Sequence, residues 1–244
     1  RIPGNLYDSK CKKMAVADYL LRNFAKQLER YSFQAHGSGK SGIIQVTRCG
    51  QEVLERTACE IEEKTGNIIV RFEVGFPARG RTIQAGELIK ILYQYLPACV
   101  EKALYYKNMD QNAVKRAAEL AVDQEYIREQ LKKEGLIAFV ADGSILPRES
   151  GVSQRPMKDA VPFVSPDSMK VTMKLPYKGV LTGMGIRKGI TLVVGGGYHG
   201  KSTLLKALES GVYPHIAGDG REYVVTDDTA MKIRAEDGRS IRHT

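Results

Sequence analysis

The segment Gly195–Ser202 constrains the fold of this chain more than any other feature. It reads Gly-Gly-Gly-Tyr-His-Gly-Lys-Ser and matches the pattern G-x-x-x-x-G-K-[ST] at every fixed position. The apolar stretch Gly189–Val194 precedes it, and residues with helical apolar spacing follow over 201–210. A strand that leads into a glycine turn and then a helix is the context in which this pattern binds phosphate. The sequence therefore predicts an α/β fold built around a phosphate-binding loop.

Each residue type in this loop has a chemical reason. Glycines let backbone N–H groups approach phosphate oxygens because no Cβ stands in the way, and the following helix directs its positive end at the same anion. We expect Lys201 to reach the β- and γ-phosphates, Ser202 to hold Mg²⁺, and Thr203 to meet the α-phosphate. The predicted ligands are ATP or ADP with Mg²⁺. The predicted nucleotide-binding residues are Gly195, Gly196, Gly197, Tyr198, His199, Gly200, Lys201, Ser202 and Thr203; Lys201 is also the predicted catalytic residue and Ser202 the predicted metal ligand.

Two loop residues are larger than the pattern usually carries. We interpret Tyr198 and His199 as pointing to solvent, with contact to a partner subunit or a second ligand as the alternative. Tyr177 lies in a Pro-Tyr-Lys-Gly turn before the loop. It is interpreted as a surface residue, and stacking on the adenine base is the alternative.

A second stretch, Gly37–Ser41, imitates the end of the same pattern. The leading glycine is missing, since position 34 is Gln34, and strand-like residues 42–47 follow instead of a helix. No helix N-terminus would therefore face an anion there. We predict a turn and not a phosphate site, so Lys40 is not expected to bind nucleotide.

The chain has 244 residues, which favours two domains. Helical periodicity extends over 12–31, 85–107 and 111–133, and strand-like segments occupy 43–48, 53–62, 68–75 and 136–141. Pro97 is expected to divide the second helix, Gly135 to end the third, and Thr65–Asn67 to form a hairpin turn. The proline-rich segment 145–166 is typical of a linker or an ordered active-site loop. We place the boundary there, with an N-terminal α+β domain over 1–165 and a second domain over 166–244.

Further strands are expected in the second domain. Residues 170–174 alternate as an exposed strand, and 189–194 form the apolar strand before the phosphate-binding loop. Residues 222–226 and 231–234 are predicted as short strands separated by acidic turn residues.

The net charge of +9 suggests a polyanionic partner. Residues 1–48 hold nine Lys or Arg against three Asp or Glu. A solvated basic surface is the alternative interpretation, because charge alone does not establish nucleic-acid binding. The candidate contacts to single-stranded RNA are Lys12, Lys13, Arg22, Lys26 and Arg30 in the first helix and Arg79 and Arg81 in a later turn.

Composition also bears on location. No apolar run approaches the length that spans a bilayer, and the first residues lack the apolar core of a signal peptide. The four cysteines form no Cys-x-x-Cys pair and match no zinc spacing, so we interpret them as reduced thiols. These observations favour an intracellular, cytoplasmic protein without a membrane partner, with a mitochondrial location as the alternative.

Several motifs together resemble a known family. The core Gly200–Leu205 is similar to the nucleotide-binding domains of ABC-type ATPases. The motifs that resemble the soluble predicted ATPases of the ABC class are Gln51–Ala58, Phe139–Pro147, Ser150–Val152, Gly195–Thr203 and Gly218–Val225. The resemblance implies an N-terminal α+β domain followed by the front part of an ABC-type P-loop domain, with short strands after the helix in a small antiparallel subdomain. Because the family includes a kinetoplastid mitochondrial protein linked to RNA editing, it also implies ATPase activity and RNA binding.

Family members continue beyond Asp237–Ile241 through a glutamine loop, a signature motif, an acidic Walker B strand and a histidine switch. None of these follows the P-loop here, so we expect a fragment that binds ATP but hydrolyses it poorly. We expect the missing motifs to close the site across a homodimer or from an internal partner. The leading interpretation is a non-transporter ATPase acting on RNA or ribonucleoprotein; the alternatives are a nucleotide-gated binding module without turnover and a transporter-associated nucleotide-binding subunit.

Overall fold

The fold was obtained as a computed structural model, which describes residues 1–233. Two units divide the chain, Arg1–Val122 and Asp123–Thr244. The helices are α1 (Lys10–Tyr31), α2 (Ala85–Lys90), α3 (Leu96–Leu104), α4 (Gln111–Glu134) and α5 (Lys201–Ser210). The strands are β1 (Ile44–Gln45), β2 (Cys59–Ile61), β3 (Ile68–Val70), β4 (Glu73–Val74), β5 (Ala78–Arg79), β6 (Thr82–Ile83), β7 (Leu136–Ala141), β8 (Lys170–Leu175), β9 (Gly179–Arg187) and β10 (Val224–Thr226). The mixture of helices and strands confirms the predicted fold class.

The first unit is built on α1. Ser9 caps this helix by accepting a hydrogen bond from the backbone N–H of Lys12, and the apolar stripe of the helix is buried against α3 and two short antiparallel pairs, β1 with β4 and β2 with β3. A third pair, β5 with β6, belongs to the same unit. The predicted hairpin turn at Thr65–Asn67 is confirmed, since it joins β2 to β3 and Gly66 has a φ of 66°.

Pro97, which was expected to divide the second helical region by ending one helix or starting the next, lies at the start of α3. A π-helical segment, Ile91–Tyr95, connects α2 to α3. Helical backbone continues from α2 through this segment into α3, since Lys90, Tyr95 and Leu96 all have helical φ and ψ. The π-helical irregularity therefore lies before the proline.

The second unit contains a four-stranded antiparallel sheet in the order β10-β7-β9-β8. Alternate residues of β7 face opposite sides: Phe139 and Ala141 join a core with Ile127 and Leu131 of α4, whereas Ala138 and Val140 join a core with Ala207 of α5. The predictions for residues 111–141 are confirmed, including Gly135, which follows α4 with a φ of 66°. The sheet thus separates α4 from the helix that follows the glycine loop.

The division of the chain falls earlier than the boundary expected near residue 165. Because β7 pairs with β9 and β10, the strand assigned to the N-terminal domain belongs to the second unit. The proline-rich segment is a loop of that unit and not a linker. Its ends are joined where Asp142 accepts hydrogen bonds from the backbone N–H and hydroxyl of Ser165, at 2.5 and 3.0 Å.

Two of the strands predicted in the second domain are not formed by the described residues. Residues 189–194 form no strand, and residues 231–233 form none either. Position 234, the last residue of that second segment, lies outside the described residues, as does Asp237–Ile241. Of the short strands expected after the loop helix, Val224–Thr226 is present, and it joins the sheet with β7, β8 and β9. Within residues 1–233, no helix is both long and apolar enough to cross a bilayer.

Candidate functional site

The glycine segment ends where α5 begins. Gly200 occupies the N-cap position with φ 78° and ψ 4°, a left-handed conformation that favours glycine. No side chain in the described part of the chain accepts a hydrogen bond at this cap, and the first helical bond runs from Leu204 N to Gly200 O at 2.9 Å. The N–H groups of the first turn therefore remain without intrahelical partners and form an electropositive end.

Lys201 folds back over the loop that precedes it. Its ammonium Nζ donates to Gly195 O at 2.6 Å and also to Gly196 O. Gly195 has a φ of 152°, outside the range that L side chains commonly adopt. Two backbone carbonyls thus hold the lysine ammonium at the glycine turn where the sequence predicts the phosphates.

The two hydroxyls after the lysine are available to a ligand. Ser202 is exposed and Thr203 is half-buried. Across residues 1–233, neither hydroxyl has a hydrogen-bond partner. A hydroxyl at the N-terminus of a helix, next to a lysine, is the donor set that P-loop proteins present to Mg²⁺. The residues therefore fit a Mg²⁺–nucleotide complex.

The two large loop residues, Tyr198 and His199, lie at the surface. Tyr198 is fully exposed and has a φ of 62°, which is unusual for a residue with a side chain. His199 is also exposed, and its ring lies beside Gly195 and Gly196. Both residues are therefore exposed to solvent, as predicted.

The segment before the loop is exposed. Ile190 is 102% exposed, Leu192 80% and Val194 74%, and no strand of the described residues pairs with them. The apolar composition suggested a buried strand, but a strand requires a hydrogen-bonded neighbour. Of the predicted strand–loop–helix unit, the described residues form the loop and helix α5 but not the strand expected over 189–194.

The other end of α5 is held by a buried polar cluster that sequence analysis did not assign. His215 Nε2 lies 3.1 Å from Ser210 O, and its Nδ1 lies 2.7 Å from Asp219 Oδ2. Arg148 Nη2 donates to the same carboxylate oxygen at 2.8 Å, and Arg221 Nη1 donates to Ser210 Oγ at 3.2 Å. Asp219 is fully buried. These contacts fix the C-terminal end of the helix whose N-terminal end forms the site.

The sequence carried a signal for this cluster. Asp219 and Arg221 lie in the Gly218–Val225 motif, which was quoted only for the family resemblance. The next strand adds a further bond, because Thr226 Oγ1 donates to Leu208 O at 2.7 Å. The partner Arg148 is too distant in sequence from Asp219 to be recognised from a pattern.

Tyr177, the alternative partner for adenine, lies in the turn between β8 and β9 and is half exposed. Its backbone N–H and that of Lys178 donate to the two carboxylate oxygens of Asp123, at 2.9 and 2.8 Å. The Lys178 ammonium lies 5.5 Å from the ring centroid of Tyr223, whose pKa is raised to about 12, first by burial and then by the charge of Asp123. The turn is thus anchored through its backbone, which leaves the Tyr177 ring at the surface.

Three basic residues of α1 are engaged in ion pairs. Lys12 Nζ lies 2.9 Å from Asp8, Lys13 Nζ lies 2.8 Å from Glu63, and Arg22 Nε lies 2.6 Å from Asp18. Lys26 and Arg30 are exposed, and neither has an ion pair within residues 1–233. The predicted basic face of the helix is thus reduced to its C-terminal part.

Arg79 and Arg81 are placed differently. Both are exposed on the β5–β6 hairpin, and neither forms an ion pair in the part of the chain that the structure describes. The imitation loop Gly37–Ser41 lies beside this hairpin. Ser41 Oγ donates to Ser38 O at 2.6 Å and accepts from Ala78 N at 3.0 Å, so the segment is a turn, as predicted.

A glycine turn that leads into an uncapped helix N-terminus, with a lysine ammonium held over the turn, defines a P-loop protein. The sequence model of the P-loop domain of ABC ATPases matches residues 110–244. The model of the N-terminal part of ATPases of the ABC class matches residues 1–107. The chain therefore belongs to the ABC-class ATPases, and the suspected family is confirmed.

One curated relative is an uncharacterized protein of Methanocaldococcus jannaschii, MJ1628. It is 29% identical over 151 residues, which cover 59% of this chain and 34% of the relative. The match thus spans about a third of that protein's length.

Proposed function

We propose that this chain binds ATP and ADP with Mg²⁺ at Gly195–Thr203 and that the whole protein hydrolyses ATP. The observation that carries the proposal is the Lys201 ammonium, which lies on the glycine turn at the uncapped N-terminus of α5. A cation, free backbone N–H groups and a helix dipole then act on one place, and each of them favours an anion.

The residues divide the work as follows. Loop and first-turn N–H groups would hold phosphate oxygens, Lys201 would neutralise charge on the β- and γ-phosphates, and Thr203 would hold the α-phosphate. The Ser202 hydroxyl would be the protein ligand of Mg²⁺, which supplies charge stabilisation for the γ-phosphate when bound. Fixed dipoles and charges of this kind stabilise the charge that develops in phosphoryl transfer.

Turnover needs a group that orients or deprotonates water. The carboxylates that directly follow β10 are engaged elsewhere. Asp227 accepts hydrogen bonds from the hydroxyl and backbone N–H of Thr229, at 2.6 and 2.9 Å, and these bonds lower its pKa, while Asp228 lies 3.5 Å from Lys132. We infer that residues 1–244 bind nucleotide with little turnover.

The two alternative functions have different support. The match of residues 1–107 to the N-terminal part of ABC-class ATPases favours that family over a transporter subunit. Steady-state phosphate release by the whole protein separates an ATPase from a nucleotide-gated module. A rate of about 1 s⁻¹ or more, the low end of ordinary turnover numbers, would identify an ATPase.

The binding proposal is tested with two lysine variants. Lys201→Ala removes the ammonium from the loop and should weaken ATP affinity at least about tenfold, or about 1.4 kcal/mol. Lys40→Ala removes the lysine of the imitation loop and should leave the affinity unchanged. Isothermal titration with ATP and Mg²⁺ measures both, and equal losses would contradict the assignment of the site.

A second candidate function is binding of single-stranded RNA by the first unit. Two exposed aromatic side chains accompany the arginines of the β5–β6 hairpin: Phe33 is 62% exposed and Phe76 is 56% exposed. Exposed aromatic rings next to cations are the elements with which proteins stack bases and hold a phosphate backbone. The exposed aromatic side chains, together with the charge, favour the region of the β5–β6 hairpin over α1 as the place where RNA binds.

Backbone hydrogen bonds connect these residues. Phe33 N donates to Gly42 O at 2.8 Å, and Gly42 N donates to Gly75 O at 2.8 Å, directly before Phe76. Phe33 itself has a φ of 64°. The aromatic–basic surface, defined as Phe33, Phe76, Arg79 and Arg81, is therefore one connected group of loops. We infer that RNA, if bound, contacts this surface.

A further inference from the structure

The side chains of His199 and Lys201 both lie within 4 Å of the position that a Cβ on Gly195 would occupy. A Cβ placed on Gly196 would lie 3.1 Å from Cε1 and 3.6 Å from Nε2 of His199. A Cβ placed on Gly195 would lie 3.6 Å from His199 Nδ1 and 3.8 Å from Lys201 Cδ. A Cβ at either glycine would therefore meet the His199 side chain, and a Cβ at Gly195 would also meet the stem of Lys201.

Both ring nitrogens of His199 are available to a ligand. No hydrogen bond or ion pair to this ring exists among residues 1–233. The ring packs on glycine backbone, which carries no titratable group, and the charged group beside it is the Lys201 ammonium.

We propose that His199, as an imidazolium, is a second cationic ligand for the phosphates of the nucleotide, beside Lys201. This inference rests on the proposed nucleotide binding at the P-loop and adds a titratable contact to it. Histidine is the side chain whose charge changes between about pH 5 and 8, and a bound phosphate favours the charged form. We therefore expect the contribution of His199 to affinity to be larger at low pH than at high pH.

The substitution that separates charge from shape is His199→Asn, which keeps a polar side chain of similar reach. We expect the ratio of wild-type to variant affinity for ADP to be at least about fivefold near pH 6 and below about twofold near pH 8.5, since charge-assisted hydrogen bonds are roughly twice as strong as neutral ones. Comparison at each pH cancels the titration of the nucleotide itself. Adenosine, which has no phosphate, should bind both proteins equally.

The matched control is His36→Asn, which removes an exposed histidine of the first unit and should behave as wild type at both pH values. A direct readout is the ¹⁵N spectrum of the His199 ring, which should move toward the imidazolium form when ADP is added near pH 7. A ring that stays unchanged would overturn the proposal. So would an affinity loss of equal size at both pH values, because a steric role does not depend on pH.

The two levels of inference fail differently. If wild type binds ADP and Lys201→Ala does not, but His199→Asn matches wild type at both pH values, the P-loop assignment stands and the role of His199 is wrong. If wild type does not bind ADP at either pH, both are wrong.

Discussion

Asp18 accepts a hydrogen bond from Nε of Arg22 at 2.6 Å, one turn further along α1, and the carboxylate is 3% exposed. Arg56 donates to the other oxygen of the same carboxylate. The remaining Arg22 donors bond the backbone oxygens of Gly50 and Glu52, at 2.5 and 3.0 Å. Arg22, which the sequence suggested as an RNA contact, thus belongs to an ion cluster around the buried Asp18 that joins α1 to the segment before β2.

This cluster predicts a large loss of stability when its carboxylate is removed. Asp18→Asn leaves two guanidinium groups without their buried counter-ion, which typically costs about 3–5 kcal/mol. Asp8→Asn, which breaks the exposed pair with Lys12, should cost less than about 1 kcal/mol. Urea unfolding of both variants measures the difference in the free energy of unfolding, and similar small losses would show that the cluster does not stabilise the first unit.

Much of this fold follows from local sequence. The stripe of apolar residues in α1, the glycine that ends α4 and the apolar run of β7 each act within a few residues, so their patterns predict their structure. The burial of Arg22 depends on Arg56 and on two backbone oxygens about 30 positions away, which no periodicity reveals.

The same reasoning explains the absent strand. The segment Gly189–Val194 has the composition of a central strand, yet strand formation depends on a partner and not on composition alone. Gly200 at the helix cap and Lys201 and Ser202 in the first turn lie where the pattern predicts, because the pattern encodes local backbone geometry. Local geometry is predictable from the sequence, whereas the pairing of strands is not.

Exposure of this segment predicts a small effect of truncating its side chains. Leu192→Ala should change the free energy of unfolding of the 244-residue chain by less than about 0.5 kcal/mol, as exposed substitutions do. Leu131→Ala removes a fully buried side chain of the same unit and should cost about 2–5 kcal/mol. Thermal or urea unfolding compares the two, and equal costs would show that Leu192 is buried in solution.

The proposed role of Ser202 predicts a change in magnesium dependence. Wild type should bind ATP more tightly with Mg²⁺ than in excess chelator, because the hydroxyl and the phosphates hold the ion together. In Ser202→Ala this difference should fall below about twofold, while affinity in chelator stays near that of wild type. Ser168→Ala, at an exposed serine of the same unit, is the control. A variant that keeps the full magnesium effect would remove Ser202 from the metal site.

The aromatic–basic surface predicts which charges control RNA binding. Affinity for single-stranded RNA should fall with salt, with a log–log slope near −0.7 per phosphate contact. The double variant Arg79→Glu with Arg81→Glu should flatten this slope by about 1.4, because it removes two contacts. The double variant Lys26→Glu with Arg30→Glu changes the net charge by the same amount on α1 and should leave the slope within about 0.5 of wild type.

Phe76→Ala should weaken binding about tenfold at every salt concentration without changing the slope, because stacking involves no counter-ion. Fluorescence anisotropy with labelled single-stranded RNA measures all three variants. Equal flattening by the two charge-reversal pairs would show that net charge alone attracts the RNA, and unchanged binding in all three would mean that the first unit does not contact it.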